Sequence, residues 1–374
     1  MFIDRSSRKG LLFILKMLVQ HSLERSIMEE SLLKERVLGR TGIKVKSLGF
    51  GGIPIQRVSE EEAISVVRCC YDFGINYFDT ARLYTVSEER IGKALEGVRE
   101  KVIIATKSAH RNKDGVLQDL ETSMKNLRTD YIDIYQLHAV SSREAWEQVT
   151  AENGALEALY EARDEGKIRH LGITSHDIDL LSEIVRKRIF ETILVPYNYL
   201  TTQPELELLP LCRRLNVGTV IMKPLGGGAL SNARAALKFV MANESVDVVI
   251  PGMMTVSEVE ENVSIASTDH NLSQEEMNSI EKDRMSLGNQ YCRACDYCQP
   301  CPQAIPISFV LRAENQLLKL TGWTPTIEKQ FQIAKTRVDT CLKCGQCESR
   351  CPYSLPIREL LPQKMASLVR NREM

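Results

Sequence analysis

From residue 45 to about 265 the chain alternates short apolar, β-branched runs with stretches whose apolar residues recur every three or four positions. The runs Val45–Gly51, Ile75–Asp79, Val102–Lys107, Tyr131–Leu137, Arg169–Thr174, Thr192–Tyr197, Thr219–Lys223 and Val246–Pro251 read as strands. Between them, Glu60–Phe73, Glu88–Glu96, Leu117–Arg128, Ala145–Glu165 and Gln203–Leu215 carry the helical period. Eight strands alternating with helices predict a parallel sheet, and eight such units in roughly 220 residues fit a closed (β/α)8 barrel, an α/β TIM barrel. A doubly wound open sheet is the alternative. It would place a GxGxxG fingerprint after its first strand, where this chain has Gly49-Phe50-Gly51-Gly52. Ahead of the barrel, Arg36–Val45 reads as a β-hairpin turning over Gly39 to Gly42.

Beyond the barrel the pattern turns mainly helical, with Ser273–Ser286, Pro306–Leu320, Ile327–Thr340 and Pro356–Leu368 as the helical stretches. The expected division is an N-terminal extension over 1–33, a barrel over 34–286 and a small C-terminal domain over 287–374. Lys9 followed by Leu11–Leu15 faintly resembles a signal peptide, but Lys16 interrupts it and no small-residue cleavage site follows before Glu24. The extension is therefore expected to be poorly ordered, or to precede a more ordinary start at Met28.

Composition narrows the function classes. Charged residues make up 26% and hydrophobic ones 43%, with a net charge of −1, so nothing points to a nucleic-acid or membrane surface. No apolar run approaches the roughly 20 residues needed to span a bilayer.

Cysteine spacing adds the first chemistry. Cys292, Cys295, Cys298 and Cys301 are followed by Pro302; Cys341, Cys344, Cys347 and Cys351 are followed by Pro352. Thiolates at three-residue steps ending in Cys-Pro are the bacterial-type [4Fe–4S] pattern, in which the fourth cysteine of each run ligates the other cluster. The second run has that spacing; the first is one residue short before its Cys-Pro. Two four-thiolate zinc sites would more usually show paired CxxC units, and a disulfide framework fits less well still. The sequence therefore predicts two [4Fe–4S] clusters in a mainly helical, ferredoxin-type module whose small core draws much of its folding energy from metal. Cys69, Cys70 and Cys212 lie in apolar helical contexts and read as small buried hydrophobes. Reduced thiols and cluster assembly suggest the cytoplasm.

Active sites of such barrels lie at the C-terminal ends of the strands. Asp79 ends the second run, with Tyr84 five residues on; Lys107 ends the third and His138 follows the fourth. A buried Lys beside a Tyr phenol is expected to lower the phenol's pKa, a carboxylate holds the ammonium, and a His can orient a carbonyl oxygen. Singly, Asp79 and Lys107 also read as a structural ion pair and His138 as a satisfied strand-end histidine. Residues 36–265 resemble the aldo-keto reductases, through Arg36–Gly52, Phe78-Asp79-Thr80-Ala81-Arg82-Leu83-Tyr84, Ala105-Thr106-Lys107, Tyr131–His138, Leu171–Ser175 and Ile250–Asn262. With the cysteines, the chain resembles the branch of that family fused to a ferredoxin-type module. The resemblance implies NAD(P)H-dependent reduction of a carbonyl, or oxidation of the alcohol, with Asp79, Tyr84, Lys107 and His138 as the catalytic tetrad and Tyr84 as proton donor.

The resemblance also implies a cofactor site at Thr174, Ser175, Met222, Lys223, Pro224, Leu225, Gly226, Gly252, Met253, Met254, Glu258 and Asn262. Here the chain departs from the family. Thr174-Ser175 stands where a Ser-Asn pair is common, Leu194 where a Gln is common and Met222 where an aromatic residue stacks on the nicotinamide. Gly226, Gly227 and Gly228 form a loop whose backbone could approach a pyrophosphate. After the eighth strand, methionines and Glu258 replace the usual cations for a 2′-phosphate, which favours NADH. Lys223 and Arg293 are candidate substitutes for those cations. The loops Ile53–Gln56 and Ala139–Ser142 offer no cationic clamp, which favours a small uncharged aldehyde or ketone. The intact tetrad points to an enzyme. The altered nicotinamide contacts keep open an electron-transfer or partner-binding protein that uses the clusters to serve a redox partner, with the barrel as scaffold.

Overall fold

The computed structural model describes residues 33–373. The extension expected over residues 1–33 lies outside them except for Leu33, which is buried in the main core. A short hairpin, β1 (Glu35–Val37) and β2 (Lys44–Lys46), precedes the barrel strands β3 (Phe50–Gly51), β4 (Tyr77–Asp79), β5 (Ile103–Ser108), β6 (Ile132–Leu137), β7 (Ile168–Thr174), β8 (Thr192–Pro196), β9 (Gly218–Met222) and β10 (Val248–Val249). β3 to β10 pair in sequence order, all parallel where registered. Parallel bridges from Leu48 to Val249 and from Gly51 to Gly252 close the barrel.

Two apolar layers follow from the strand alternation. One set of side chains, including Tyr77, Ala105, Ile134, Leu194, Val220 and Val248, fills the barrel together with Leu38 and Val45 of the hairpin. The other set packs outward on the helices. The first apolar run, expected as one strand over Val45–Gly51, is divided: Val45 and Lys46 belong to the hairpin and only Phe50–Gly51 joins the barrel. The helix Glu60–Asp72 shows how local signals act. Ser59 and Glu62 form a capping box at its start, and Ala63, Val66, Val67 and Cys70 form its buried stripe. Such a cap is worth about 0.5–2 kcal/mol. Ala145–Glu165 is two helices, Arg143–Thr150 and Ala155–Asp164, rather than one. Asn153 adopts φ of 56° and a Cβ on Gly154 would lie 2.6 Å from the Val149 carbonyl oxygen, so the chain turns sharply there.

The C-terminal domain has its own core. Helices Ile307–Arg312, Pro325–Arg337 and Ile357–Glu373 bury Ile307, Val310, Leu311, Phe331, Leu360 and Leu368 around Cys292 and Cys298. It docks on the loops after the barrel strands. The Tyr297 hydroxyl lies 2.9 Å from Asp177 and 3.0 Å from Asp179, Tyr353 donates to Gln203 at 2.9 Å, and Lys319 donates to the Gly228 carbonyl at 2.9 Å. The domain therefore sits on the barrel mouth, where the strand-end residues converge. No helix among the described residues is long and apolar enough to cross a membrane.

Candidate active site

Three neighbouring strands build the centre of the mouth. Asp79 closes β4, Lys107 lies on β5 in register with Gln136 on β6, and His138 follows β6. The Lys107 ammonium donates to Asp79 Oδ1 at 2.5 Å and to the Thr80 carbonyl at 2.5 Å; Gln136 Nε2 donates to the other Asp79 oxygen at 3.0 Å. All three side chains are buried. Burial works against charge on both members of the pair, raising Asp79 and lowering Lys107, while each partner's charge opposes that shift. Gln136 completes this network and was not singled out from the sequence, where its interior position on an apolar strand was the only signal.

Tyr84 lies over this pair. The Lys107 ammonium is 5.2 Å from the centre of its ring, and the ring meets His138 edge-on at 5.9 Å. Burial, and then the Asp79 charge, raise the Tyr84 pKa. The expectation that Lys107 lowers it is not met, because burial of the phenol, followed by the Asp79 charge, pushes the other way. The phenol is therefore neutral at ordinary pH and able to donate. His138 is pushed down to about 3, by burial first and then by Lys107 and Arg111, so its imidazole is neutral. Its Nδ1 is buried with no partner among the described residues, while Arg111 holds the backbone carbonyls of His138 at 2.8 Å and Ala139 at 2.9 Å. Tyr84 opens onto a cavity, and a neutral phenol there, with a neutral imidazole packed against its ring, can donate hydrogen bonds, and a proton, to a carbonyl oxygen.

That cavity is a cleft of about 1170 Å³ including its open mouth. Of the residues expected for catalysis and cofactor binding, Asp79, Tyr84, Met222, Lys223, Pro224, Leu225, Gly252, Met254 and Glu258 line it. Lys107 sits behind Asp79. His138, Thr174, Ser175, Gly226, Met253 and Asn262 are outside its lining. Thr174 Oγ1 instead accepts from the Ala139 amide at 2.7 Å, and the Ser175 hydroxyl is bonded to the Asp177 backbone at 3.0 and 3.2 Å. Leu194 lines the cleft, where it presents no amide. Glu258 accepts from the amides of Met254 at 2.5 Å and Thr255 at 3.1 Å, so it fills the N-terminus of the helix Val256–Ala266 with the chain's own carboxylate.

The cleft is also more cationic than its flanking loops suggested. Arg57, Lys223 and Lys319 all line it. Lys223 donates to His176 Nε2 at 2.7 Å and is pushed down to about 7, by burial first and then by Arg312 of the C-terminal domain. Arg293, expected as a substitute cation, is committed elsewhere: it stacks 4.1 Å from the Tyr353 ring and bonds the carbonyls of Leu200, Gly288 and Tyr291. Lys319 escaped sequence reasoning because only the docking of the C-terminal domain brings it to the mouth, whereas Arg57 and His176 stand in loops after β3 and β7 and carried no motif.

The remaining cysteines form two separate cages. One cavity is lined by Cys292, Cys295, Cys298 and Cys351; another by Cys301, Cys341, Cys344 and Cys347. Among the described residues no three ligand side chains converge closely enough for one metal ion; the thiols instead surround two separate spaces. Each cage combines three cysteines of one run with the Cys-Pro cysteine of the other, a donor set that fits a [4Fe–4S] group.

Comparisons with known proteins agree with this division. The aldo/keto reductase family model matches residues 47–235, half of the chain, and a 4Fe-4S dicluster domain model matches residues 291–356. L-galactose dehydrogenase of Arabidopsis thaliana is 29% identical over 303 residues, covering 67% of this chain and 91% of that protein. An aldo-keto reductase of Bacillus subtilis is 32% identical over 212 residues, covering 51% of this chain and 62% of its own length. Among solved structures, the holo form of an aldo-keto reductase from Bacillus halodurans aligns with a TM-score of 0.59 at 28% identity, covering 67% of this chain and 96% of that one. A Klebsiella pneumoniae aldo-keto reductase solved with NADPH shares the fold, with a TM-score of 0.56 at 24% identity, covering 67% of this chain and 94% of its own.

Proposed function

The chain belongs to the aldo/keto reductase family, and from that premise we propose how this NAD(P)H-dependent oxidoreductase with its 4Fe-4S dicluster domain works on its substrate. The reaction is reduction of a small carbonyl compound, or oxidation of the corresponding alcohol. The nicotinamide supplies or accepts the hydride. Tyr84 holds the proton that passes to the carbonyl oxygen, His138 donates a hydrogen bond that orients that oxygen, and the Lys107–Asp79 pair fixes the phenol's surroundings. The observation that carries this reading is the buried 2.5 Å Lys107–Asp79 contact beneath the Tyr84 ring, on the wall of the cleft. Met222, Lys223, Pro224, Leu225, Gly252 and Met254 face the cofactor in that cleft. NADH is favoured over NADPH because Glu258 already occupies the two amides that a 2′-phosphate would need.

The eight thiols hold the two clusters in crossed fashion, with residues 287–374 as one domain and 34–286 as the other. Clusters of this kind exchange single electrons, and reduced thiols support a cytoplasmic setting. One observation favours a second reading, in which the clusters pass electrons from a docked redox protein. Cys344, in the second cage, is exposed, whereas Cys292, in the first, is buried in the core of the domain that docks on the barrel mouth.

Tyr84→Phe tests the enzymatic reading. Removing the proton donor is expected to lower carbonyl reduction by about 10²–10⁴-fold, with NADH binding by fluorescence titration nearly unchanged. Activity within a few-fold of the parent, in anaerobically purified protein, would leave only the electron-transfer reading.

A further inference from the structure

We propose that the iron–sulfur domain completes the cofactor site of the barrel: Lys319 of that domain and Arg57 of the loop after β3 clasp the pyrophosphate of the dinucleotide at the glycine loop Gly226–Gly228. The proposal rests on the reading that this cleft takes a nicotinamide dinucleotide. Both cations line the cleft together with Tyr84, Gly227 and Gly228. Lys319 Nζ donates to the Gly228 carbonyl at 2.9 Å, and the Arg57 guanidinium donates to the Lys319 carbonyl, so the two residues and the glycine loop are tied into one unit. Among the described residues neither cation is paired with a carboxylate. An ammonium has three donors and a guanidinium five, which leaves most of them free for phosphate oxygens. Gly226, Gly227 and Gly228 have φ of 59°, 68° and 85°, so the loop holds a backbone that side chains would strain and presents no Cβ against a ligand.

Two other sources of phosphate recognition are already engaged. Glu258 fills the nearby helix N-terminus, and Arg293 is engaged with Tyr353 and three carbonyls. The place of Lys319 is set by the domain that carries it. Its short helix Leu318–Thr321 continues from Ile307–Arg312, whose Val310 and Leu311 pack in the same core as Cys292 and Cys298. Cofactor grip and cluster integrity are thereby coupled, and by reciprocity a bound dinucleotide should hold the domain in place.

The test is fluorescence titration of the anaerobic holoprotein with NADH and NADPH, alongside Lys319→Met, Lys319→Arg and Arg57→Met, each checked for unchanged iron content. Lys319→Met should weaken both nucleotides by a similar factor of about ten or more, Lys319→Arg should recover most of that loss, and added salt should weaken the parent more than Lys319→Met. Saturating NADH should slow chelator-driven loss of visible cluster absorbance in the parent and not in Lys319→Met. Unchanged affinity in Lys319→Met while the parent binds would overturn the clasp alone. A loss confined to NADPH would move Lys319 to the 2′-phosphate and equally reject it. A parent that binds neither nucleotide would remove the dinucleotide reading itself.

Discussion

At the scale of single residues, the centre of the site is an ion pair taken almost wholly out of water. Lys107 and Asp79 are 1% and 3% exposed, burial works against charge on both, and the partner 2.5 Å away opposes that loss on each. Breaking such a pair leaves one buried charge without compensation, which costs about 3–5 kcal/mol, whereas replacing both partners with neutral groups can cost little. Lys107→Met should therefore lower the thermal midpoint well below that of the parent, and Asp79→Asn combined with Lys107→Met should recover a good part of the loss while remaining inactive. If the double variant were no more stable than Lys107→Met, the cost would lie in packing and not in charge. The strand-end places of Asp79, Lys107 and His138, and of Tyr84 five residues past Asp79, were legible in the sequence because the apolar runs before them are recognisable. The direction of the Tyr84 shift was not. It depends first on how deeply the phenol is buried and then on its closeness to the Asp79 charge, both set by tertiary packing.

At the scale of elements, strand order and the parallel sheet could be read from the alternation of periods, since each period reports a local buried face. Boundaries could not where a turn overrode the pattern. Val45 and Lys46 form a hairpin because Leu38 and Val45 fill the floor of the barrel, a contact between distant segments. The helix Val256–Ala266 shows an element deciding chemistry. Glu258 was read from sequence as a repelling charge; the structure makes it the closing member of a capping box with Thr255. Glu258→Gln should keep most of the cap while removing the negative charge. It is expected to tighten NADPH relative to NADH by several-fold, since a charge of this kind near a helix N-terminus is worth roughly 0.3–1 kcal/mol. Parallel titrations of both nucleotides check it, and an unchanged ratio would separate Glu258 from cofactor choice.

At the scale of the whole molecule, two chain runs fifty residues apart meet in both cages. Three cysteines of each run close on the fourth cysteine of the other, so Cys351 lies with Cys292, Cys295 and Cys298 while Cys301 lies with Cys341, Cys344 and Cys347. The spacing suggested this crossing, but the face of the barrel on which the domain lies was invisible in the sequence. That face depends on single contacts such as Tyr297 with Asp177 and Tyr353 with Gln203. Because each cage spans both runs, each cluster would act as a staple on the fold, and much of the domain's stability would be metal-binding energy. The parent should contain about eight iron and eight sulfide per chain, four for each cluster. Cys351→Ala removes one ligand from the cage of the first run and none from that of the second. It should lower iron to about four per chain, and a further Cys292→Ala should take away no more iron, because both residues belong to the same cage. Cys301→Ala joined to Cys351→Ala should instead remove nearly all of it. If Cys351→Ala with Cys292→Ala lost both clusters while Cys351→Ala with Cys347→Ala kept one, each run would hold its own cluster and the crossed arrangement would be wrong.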